Sequence, residues 1–220
     1  MTILQGIIFD MDGVLCDSEP FIIEAASQMF AERYHLTVRH DDFLPFTGAG
    51  EDRFIGGVAE KYGVKLSMPA DKQRTYDIYL QIIQGRLHPL AGAVEFIEKC
   101  HRLDLKCALA TSADRVKMEG NLKEIGIPAD RFAAIVTGSE IERKKPDPQA
   151  FEVAAKKLGL SNAQCIVVED AVNGVRAGKA AGSRVLGIMT TFDDATLRAA
   201  GADWTAANLA HVPDDVLQTG

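Results

Sequence analysis

The chain has 220 residues, 47% of them hydrophobic and 25% charged, and its 24 Lys and Arg against 31 Asp and Glu give a formal net charge of −7. These values are typical of a folded globular protein and exclude a mainly disordered chain. The acidic balance, without a long basic run, argues against nucleic acid as a partner. No apolar run approaches the roughly 20 residues that a membrane helix requires.

The cysteines and the first residues of the chain favour a cytoplasmic location. Cys16, Cys100, Cys107 and Cys165 form no C-x-x-C pair and do not cluster with histidines, which predicts reduced thiols rather than a zinc site or a disulfide framework. Residues 1–6 lack the basic segment that opens a signal peptide. We expect the protein to be a monomer or a weak dimer.

Short apolar runs recur along the chain and are separated by amphipathic helical patterns, which predicts an α/β fold with a doubly wound parallel sheet. In such a sheet the functional residues lie at the carboxyl ends of the strands. The predicted strands cover residues 3–9, 106–110, 134–137, 165–168 and 184–188.

Nearly a hundred residues separate the first two predicted strands, far more than a crossover connection needs. Helical patterns at residues 19–33, 51–62 and 69–84 fill this gap, so we expect a small inserted α-helical cap. The predicted division is a core of residues 1–17 and 88–220 and a cap of residues 18–87. The chain would cross between them near residues 16–18 and 86–89, which would act as hinges.

Two carboxylates follow the first predicted strand in the string Asp10-Met11-Asp12-Gly13. A calcium-binding EF-hand loop also begins D-x-D, but it has its glycine at position six, a Glu at position twelve and a helix before it. Here the glycine is fourth, Phe21 stands at position twelve and a strand precedes the loop. The string therefore fits calcium poorly.

Two further segments could contact an anion. Thr111 and Ser112 follow the second strand and precede a helix that starts near Asp114, where hydroxyls and backbone N–H groups can bind a phosphate. A helix N-cap would explain the same residues equally well. Lys145 follows the third strand, and Pro146 and Pro148 fix its direction, although a solvated basic turn explains this segment better when it is taken alone.

Glu169 and Asp170 follow the fourth strand, so a second acidic pair reaches the same sheet edge as Asp10 and Asp12. Two unit charges 4 Å apart repel by about 4 kcal/mol at an effective dielectric constant of 20. Several such pairs require a cation, and a crowded set of oxygen ligands suits Mg²⁺ together with a substrate phosphate. This pattern predicts a phosphoryl-transfer site.

The order D-x-D-G-V, T-S, K-P and E-D, each after a strand, resembles the haloacid dehalogenase superfamily over the whole chain. The opening F-D-M-D-G-V-L-C-D-S-E-P of residues 9–20 is similar to its β-phosphoglucomutase-like branch of phosphatases and phosphomutases, which carry a helical cap after the first motif. The string E-D-A-V-N-G-V-R-A-G of residues 169–178 is equally typical of that branch.

This resemblance implies a role for each matching residue. Asp10 would be the nucleophile that accepts the phosphoryl group as an aspartyl phosphate, and Asp12 the general acid and base. Thr111 and the backbone amide of Ser112 would hold the phosphate oxygens. Lys145 would neutralise the nucleophile and the transferring group.

The resemblance also implies a set of ligands for Mg²⁺. The Asp10 carboxylate, the Asp12 carbonyl and Asp170 would hold the ion, and Glu169 would be a fourth ligand or a partner of the ligands.

The cap departs from the mutase pattern at two positions. Ile22 stands where the mutase has a histidine, and Glu51 stands where it has an arginine that binds the distal phosphate of a sugar bisphosphate. Arg53 follows two residues later, so Glu51 and Arg53 are both candidate substrate-binding residues. Residues 46–57 are also similar to the cap loop of the dehalogenase-like domain in plant suppressor-of-quenching proteins.

These observations predict a Mg²⁺-dependent phosphatase that acts on a small phosphorylated metabolite, with a sugar phosphate as the first expectation. A sugar phosphomutase is the alternative, and a non-catalytic regulatory module with the same fold is a second one. Trp204 and Cys16 are expected to serve packing rather than binding or redox chemistry.

Overall fold

The computed structural model of the chain describes residues 3–46 and 50–218. Its strands are β1 (Gly6–Phe9), β2 (Lys106–Ala110), β3 (Ala134–Val136), β4 (Cys165–Glu169), β5 (Arg184–Ile188) and β6 (Trp204–Ala206). They form one sheet in the order β3-β2-β1-β4-β5-β6, and every neighbouring pair runs parallel. This order reverses direction at β1, and ligands bind beyond the carboxyl ends of the strands at such a switch point.

Helices cover both faces of the sheet, which confirms the doubly wound α/β fold. The helices are α1 (Glu19–Tyr34), α2 (Glu51–Tyr62), α3 (Met68–Ile82), α4 (Ala93–Arg102), α5 (Arg115–Glu124), α6 (Gln149–Leu158), α7 (Val172–Ala180) and α8 (Asp194–Ala200). Helices α4 and α5 contribute to the hydrophobic cluster on one face of the sheet, and α6 and α7 contribute to the cluster on the other.

The central strand shows why the strands read as continuous apolar runs. Ile7 and Phe9 belong to the cluster on one face, Ile8 belongs to the cluster on the other, and none of the three is exposed to solvent. Successive side chains of a strand point to opposite faces, so a strand covered on both sides must be apolar at every position.

Strands β1 and β6 differ most from the sequence expectation, while β3 ends one residue earlier and β4 one residue later than predicted. Strand β1 begins at Gly6 rather than at residue 3, and Ile3 is exposed instead of paired within the sheet. Strand β6 escaped prediction because its three residues contain no apolar run. Trp204 is half-buried in this strand, and its indole N–H donates a hydrogen bond to Asp215 at 3.0 Å, so the residue serves packing at the edge of the sheet.

Helices α1, α2 and α3 lie between β1 and β2 in the chain, and we call them the cap helices. Their shared interior contains Phe30, Phe43 and Phe54, whose rings lie in tilted contact. The predicted division into a core of residues 1–17 and 88–220 and a cap of residues 18–87 stays a prediction. The middle of the glycine-containing cap loop, residues 47–49, lies outside the described residues.

The chain enters and leaves the cap helices side by side. Cys16 and Pro89 form an antiparallel bridge, and the N–H of Leu90 donates to the carbonyl of Leu15 at 2.9 Å. Both crossings are therefore fixed to each other at the edge of the core. Any movement of the cap helices relative to the sheet must pass through these two short segments.

All four cysteines are buried and unbridged, including Cys16, whose thiol pKa is raised by burial. Within the described residues, no helix has the length and apolar character needed to cross a membrane. The cytoplasmic location, the lack of a nucleic acid partner and the oligomeric state stay predictions.

Candidate active site

A cavity of about 440 Å³ lies between the cap helices and the carboxyl ends of the central strands. Residues from the loops after β1 to β5 line its floor, and residues of α1, α2 and the segment before α2 line its roof. This position agrees with the reversal of strand order at β1.

Asp10 begins the loop after β1, and its N–H continues the sheet by donating to Val168 at 2.9 Å. The loop then turns at Gly13, whose φ of +76° favours glycine. A Cβ atom at this position would lie 2.0 Å from the carboxylate of Asp170. Glycine therefore lets the loop after β1 pass directly against the end of β4.

Lys145 pairs with two carboxylates on the floor of the cavity. Its ammonium group forms an ion pair with Asp10 and lies 2.6 Å from Oε1 of Glu169, and only 8% of its side chain is exposed. Burial alone would lower the pKa of Lys145, but the two carboxylates outweigh burial and raise it. Lys145 is therefore a fixed cation between the ends of β1 and β4.

Asp10, Glu169 and Asp170 form a buried acidic cluster in which one carboxylate oxygen from each lies within 4.8 Å of the others. Burial raises the pKa of Asp10 to about 7 against the opposing effect of Lys145, and burial also raises the pKa of Asp170 well above its ordinary value. One lysine does not balance three carboxylates. Hard oxygen ligands with an excess of negative charge fit Mg²⁺.

Backbone and side-chain donors orient the two acidic residues at the end of β4. Oε2 of Glu169 accepts hydrogen bonds from the N–H groups of Asp170 and Ala171 at 3.0 and 3.1 Å. The hydroxyl of Thr191 donates to Oδ2 of Asp170. Sequence reasoning did not select Thr191, although it follows β5 by three residues and the rule of looking at strand ends could have found it.

Thr111 and Ser112 lie beside the acidic cluster at the end of β2 and line the cavity. Oγ1 of the buried Thr111 accepts a hydrogen bond from the N–H of Ala113 at 3.0 Å, which leaves its hydroxyl proton to donate to a ligand. Asp114 is the N-cap residue of α5, so Thr111 and Ser112 precede the helix rather than cap it.

Asp12 does not join the cluster through its side chain. Its Oδ1 accepts a hydrogen bond from Ser18, and its Oδ2 accepts one from Lys117 at 3.0 Å. The Asp12 side chain is about one-third exposed and lines the cavity, so it stays accessible to a ligand.

Sequence reasoning missed Lys117, whose side chain is only 7% exposed on the buried side of α5. Burial lowers its pKa, but the carboxylates of Asp12 and Glu51 outweigh burial and raise it. The sequence carries only a weak signal for Lys117. Lys117 and Asn121 are four residues apart, a spacing that places both on one face of a helix, and the structure shows that both are buried.

The structure separates the two candidate cap residues. Glu51 is buried in the cavity wall, with Oε1 3.9 Å from the ammonium group of Lys117. Arg53 is half-exposed and lies outside the cavity lining, where both oxygens of Glu60 accept hydrogen bonds from its Nη1 at 2.9 Å. Of these two residues of α2, only Glu51 lines the cavity that contains the acidic cluster.

The model of one protein family, described as haloacid dehalogenase-like hydrolase, matches residues 7–188 of the chain. The chain belongs to this family. The match begins in β1 and ends with β5, so it includes every segment that contributes to the floor of the cavity apart from the loop after β5.

Similarity to individual proteins and solved structures gives more detail. Protein SUPPRESSOR OF QUENCHING 1, chloroplastic, of Arabidopsis thaliana is 40% identical over 220 residues, which are 99% of this chain but 21% of that protein. The chain thus spans about one-fifth of this relative. The phosphorylated carbohydrates phosphatase of Thermotoga maritima is 29% identical over 87% of this chain and 88% of that protein. A solved hydrolase from Pseudomonas syringae matches with a TM-score of 0.77 and 25% identity, covering 94% of this chain and 95% of that chain.

In this haloacid dehalogenase-like chain, the arrangement offers three chemical features in one cavity. A buried carboxylate is paired with a lysine, hydroxyl donors lie beside it, and a second carboxylate is held separately by Ser18 and Lys117. A nucleophile, an anion-binding group and a proton carrier are the parts that a two-step transfer requires.

Proposed function

We propose that the chain is a Mg²⁺-dependent phosphatase that hydrolyses a small phosphorylated metabolite, a sugar phosphate in the first instance, through a covalent intermediate on Asp10. The observation that carries the proposal is the Asp10 carboxylate on the cavity floor, paired with Lys145 beside two further buried carboxylates. The relative named phosphorylated carbohydrates phosphatase supports the substrate class.

In the first step, a carboxylate oxygen of Asp10 attacks phosphorus and the bond from phosphorus to the leaving oxygen breaks. Asp12 transfers a proton to that oxygen, so the metabolite leaves as a neutral alcohol. In the second step, Asp12 takes a proton from water, the water oxygen attacks phosphorus, and Asp10 is released together with inorganic phosphate. The separate position of Asp12, held by Ser18 and Lys117, supports this role.

The phosphate group would bind between the hydroxyl of Thr111, the backbone amide of Ser112 and the ammonium group of Lys145. All three residues line the cavity, and Lys145 already contacts Asp10. Fixed donors around a transferring phosphoryl group stabilise the charge that spreads over its oxygens in the transition state.

The acidic cluster fits Mg²⁺, since its carboxylates outnumber the one lysine that contacts them. Asp10 and Asp170 would hold the ion together with the Asp12 carbonyl, and Glu169 would be a ligand or a partner of the ligands. When bound, Mg²⁺ supplies positive charge that favours the carboxylate form of these residues and draws phosphate oxygens toward them.

The residues of the cap support a phosphatase rather than a mutase, which would transfer a phosphoryl group between two positions of a sugar. A mutase must hold a second phosphate with a cation in the cap, but Arg53 pairs with Glu60 outside the cavity lining. Glu51 in the cavity wall would repel a second phosphate. Water is therefore the expected acceptor of the phosphoryl group.

The test is a panel of sugar monophosphates incubated with Mg²⁺ and assayed for both inorganic phosphate and isomeric sugar phosphate. We expect phosphate release that stops in excess chelator and in the Asp10→Asn variant. Asp41→Asn, which removes an exposed carboxylate between α1 and α2, should retain the activity. Isomer formation much faster than phosphate release would instead identify a mutase, and equal release by Asp10→Asn would refute the assignment of the nucleophile.

A further inference from the structure

The carboxylate of Glu51 is incompletely bonded in the cavity wall. The residue is 9% exposed, and no donor among the described residues reaches its buried Oε2 atom. Its other oxygen lies 3.9 Å from Lys117, beyond hydrogen-bond distance. A buried polar atom without a partner is unfavourable, so its presence in a ligand cavity points to a donor on the ligand.

We infer that Oε2 of Glu51 accepts a hydrogen bond from a hydroxyl group on the leaving group of the substrate, and that Glu51 thereby selects polyhydroxylated monophosphates. This inference rests on the proposed phosphatase function and specifies its substrate class. Glu51 is a specificity-determining residue in this assignment and takes no part in bond breaking.

The charges around Glu51 disfavour an anionic group on this part of the substrate. Asp12 and Glu51 share the one ammonium group of Lys117, so this part of the cavity wall carries a net negative charge. A second phosphate would be repelled by Glu51 itself. A hydroxyl group donates a hydrogen bond without adding charge, and it leaves the contact between Glu51 and Lys117 in place.

The distance from the reaction centre fits a leaving group of a few carbon atoms. The ammonium nitrogen of Lys117 lies 3.0 Å from Oδ2 of Asp12 and 3.9 Å from Oε1 of Glu51, so these two oxygens are at most about 7 Å apart, and Oε2 belongs to the same carboxylate as Oε1. A leaving oxygen at Asp12 and a hydroxyl at Glu51 would then belong to one short carbon chain. The carbon skeleton of that chain would lie against apolar side chains that line the cavity, namely Ile22, Leu44, Phe46 and Phe54.

The experiment compares alkyl phosphates that differ in their hydroxyl groups. Sorbitol 6-phosphate, ribose 5-phosphate and glycerol 3-phosphate are measured against n-hexyl phosphate, which has a similarly poor leaving group without hydroxyls. The activated substrate p-nitrophenyl phosphate reports on the chemistry of phosphoryl transfer. The variants are Glu51→Met, which keeps the length and removes the acceptor, and Glu51→Gln, which keeps one acceptor oxygen.

We expect wild-type kcat/KM to be at least about 10-fold higher for the best polyol phosphate than for hexyl phosphate, as one hydrogen bond to a charged acceptor would give. Glu51→Met should remove this preference, Glu51→Gln should retain part of it, and the control Asp41→Asn, at an exposed position, should retain all of it. The ratio of two substrates is the readout, because a purely structural role of Glu51 would change both rates together.

The possible failures are distinguishable. If p-nitrophenyl phosphate is hydrolysed but the wild type shows no preference for any polyol phosphate, or if Glu51→Met retains the preference, the inference is wrong and the phosphatase proposal stands. If none of the phosphates is hydrolysed, the proposed function fails and the inference fails with it.

Discussion

Replacing Asp10 by Asn should stabilise the metal-free protein while abolishing turnover. The Asp10 carboxyl is buried between Glu169 and Lys145, and its pKa of about 7 compares with an ordinary value of 3.8. Its ionisation therefore opposes folding at neutral pH. Asparagine has nearly the same size and no charge, so the variant lacks both the destabilising ionisation and the nucleophile.

The magnitude and sign follow from the two pKa values. A carboxyl that binds its proton more tightly in the folded state contributes stability below pH 4, and this contribution is lost as the pH rises through 7. The full loss corresponds to about 4 kcal/mol. Between pH 5 and pH 8, the stability advantage of Asp10→Asn over the wild type should grow by roughly 2–3 kcal/mol.

The assay is urea unfolding in excess chelator at pH 5, 6, 7 and 8, followed by the fluorescence of Trp204, the single tryptophan. The change of the advantage with pH is the readout, because the attraction of Lys145 for the ionised Asp10 is already contained in the pKa of about 7, whereas differences in packing between Asp and Asn do not vary with pH. Asp41→Asn, at an exposed position, should show no such trend. Saturating Mg²⁺ should reduce the advantage by stabilising the wild type. An advantage that is constant or falls with rising pH would refute the reasoning.

Two further predictions concern residues that hold the carboxylates in place. Thr191→Val removes the hydrogen bond to Asp170 and should raise the Mg²⁺ concentration needed for half-maximal activity by about 10-fold; an unchanged Mg²⁺ titration would show that Asp170 needs no such support. Lys117→Met removes one of the two groups that hold Asp12 and should lower kcat by about 10- to 100-fold more for sugar phosphates than for p-nitrophenyl phosphate. Equal losses on both substrates would contradict a role for Lys117 in positioning the proton donor.

The sequence was sufficient for the sheet and for most of the cavity floor. Five of the six strands read as apolar runs because helices cover both faces of the sheet, and the carboxyl ends of these strands meet at one edge. Looking just after each run therefore selected Asp10, Thr111 and Glu169, which the structure brings to one cavity. Their chemical roles stay predictions.

Other features depend on contacts between distant parts of the chain. The burial of Lys117 results from the packing of α5 against the cap helices, and no local pattern specifies which way a single lysine points. The same holds for the cap, where only the orientation of α2 distinguishes Glu51, in the cavity, from Arg53, beside Glu60. Strand β6 is too short for its pattern to stand out.

The covalent intermediate on Asp10 is the central claim, and rapid acid quenching tests it most directly. Wild type, Asp12→Asn and Asp10→Asn are mixed with Mg²⁺ and radiolabelled p-nitrophenyl phosphate, whose leaving group needs little protonation, then quenched and digested. The account predicts label on the peptide that contains Asp10 in the wild type, more label in Asp12→Asn because attack by water is slowed, and none in Asp10→Asn. Release of inorganic phosphate without labelled protein in Asp12→Asn, or label that persists in Asp10→Asn, would contradict it.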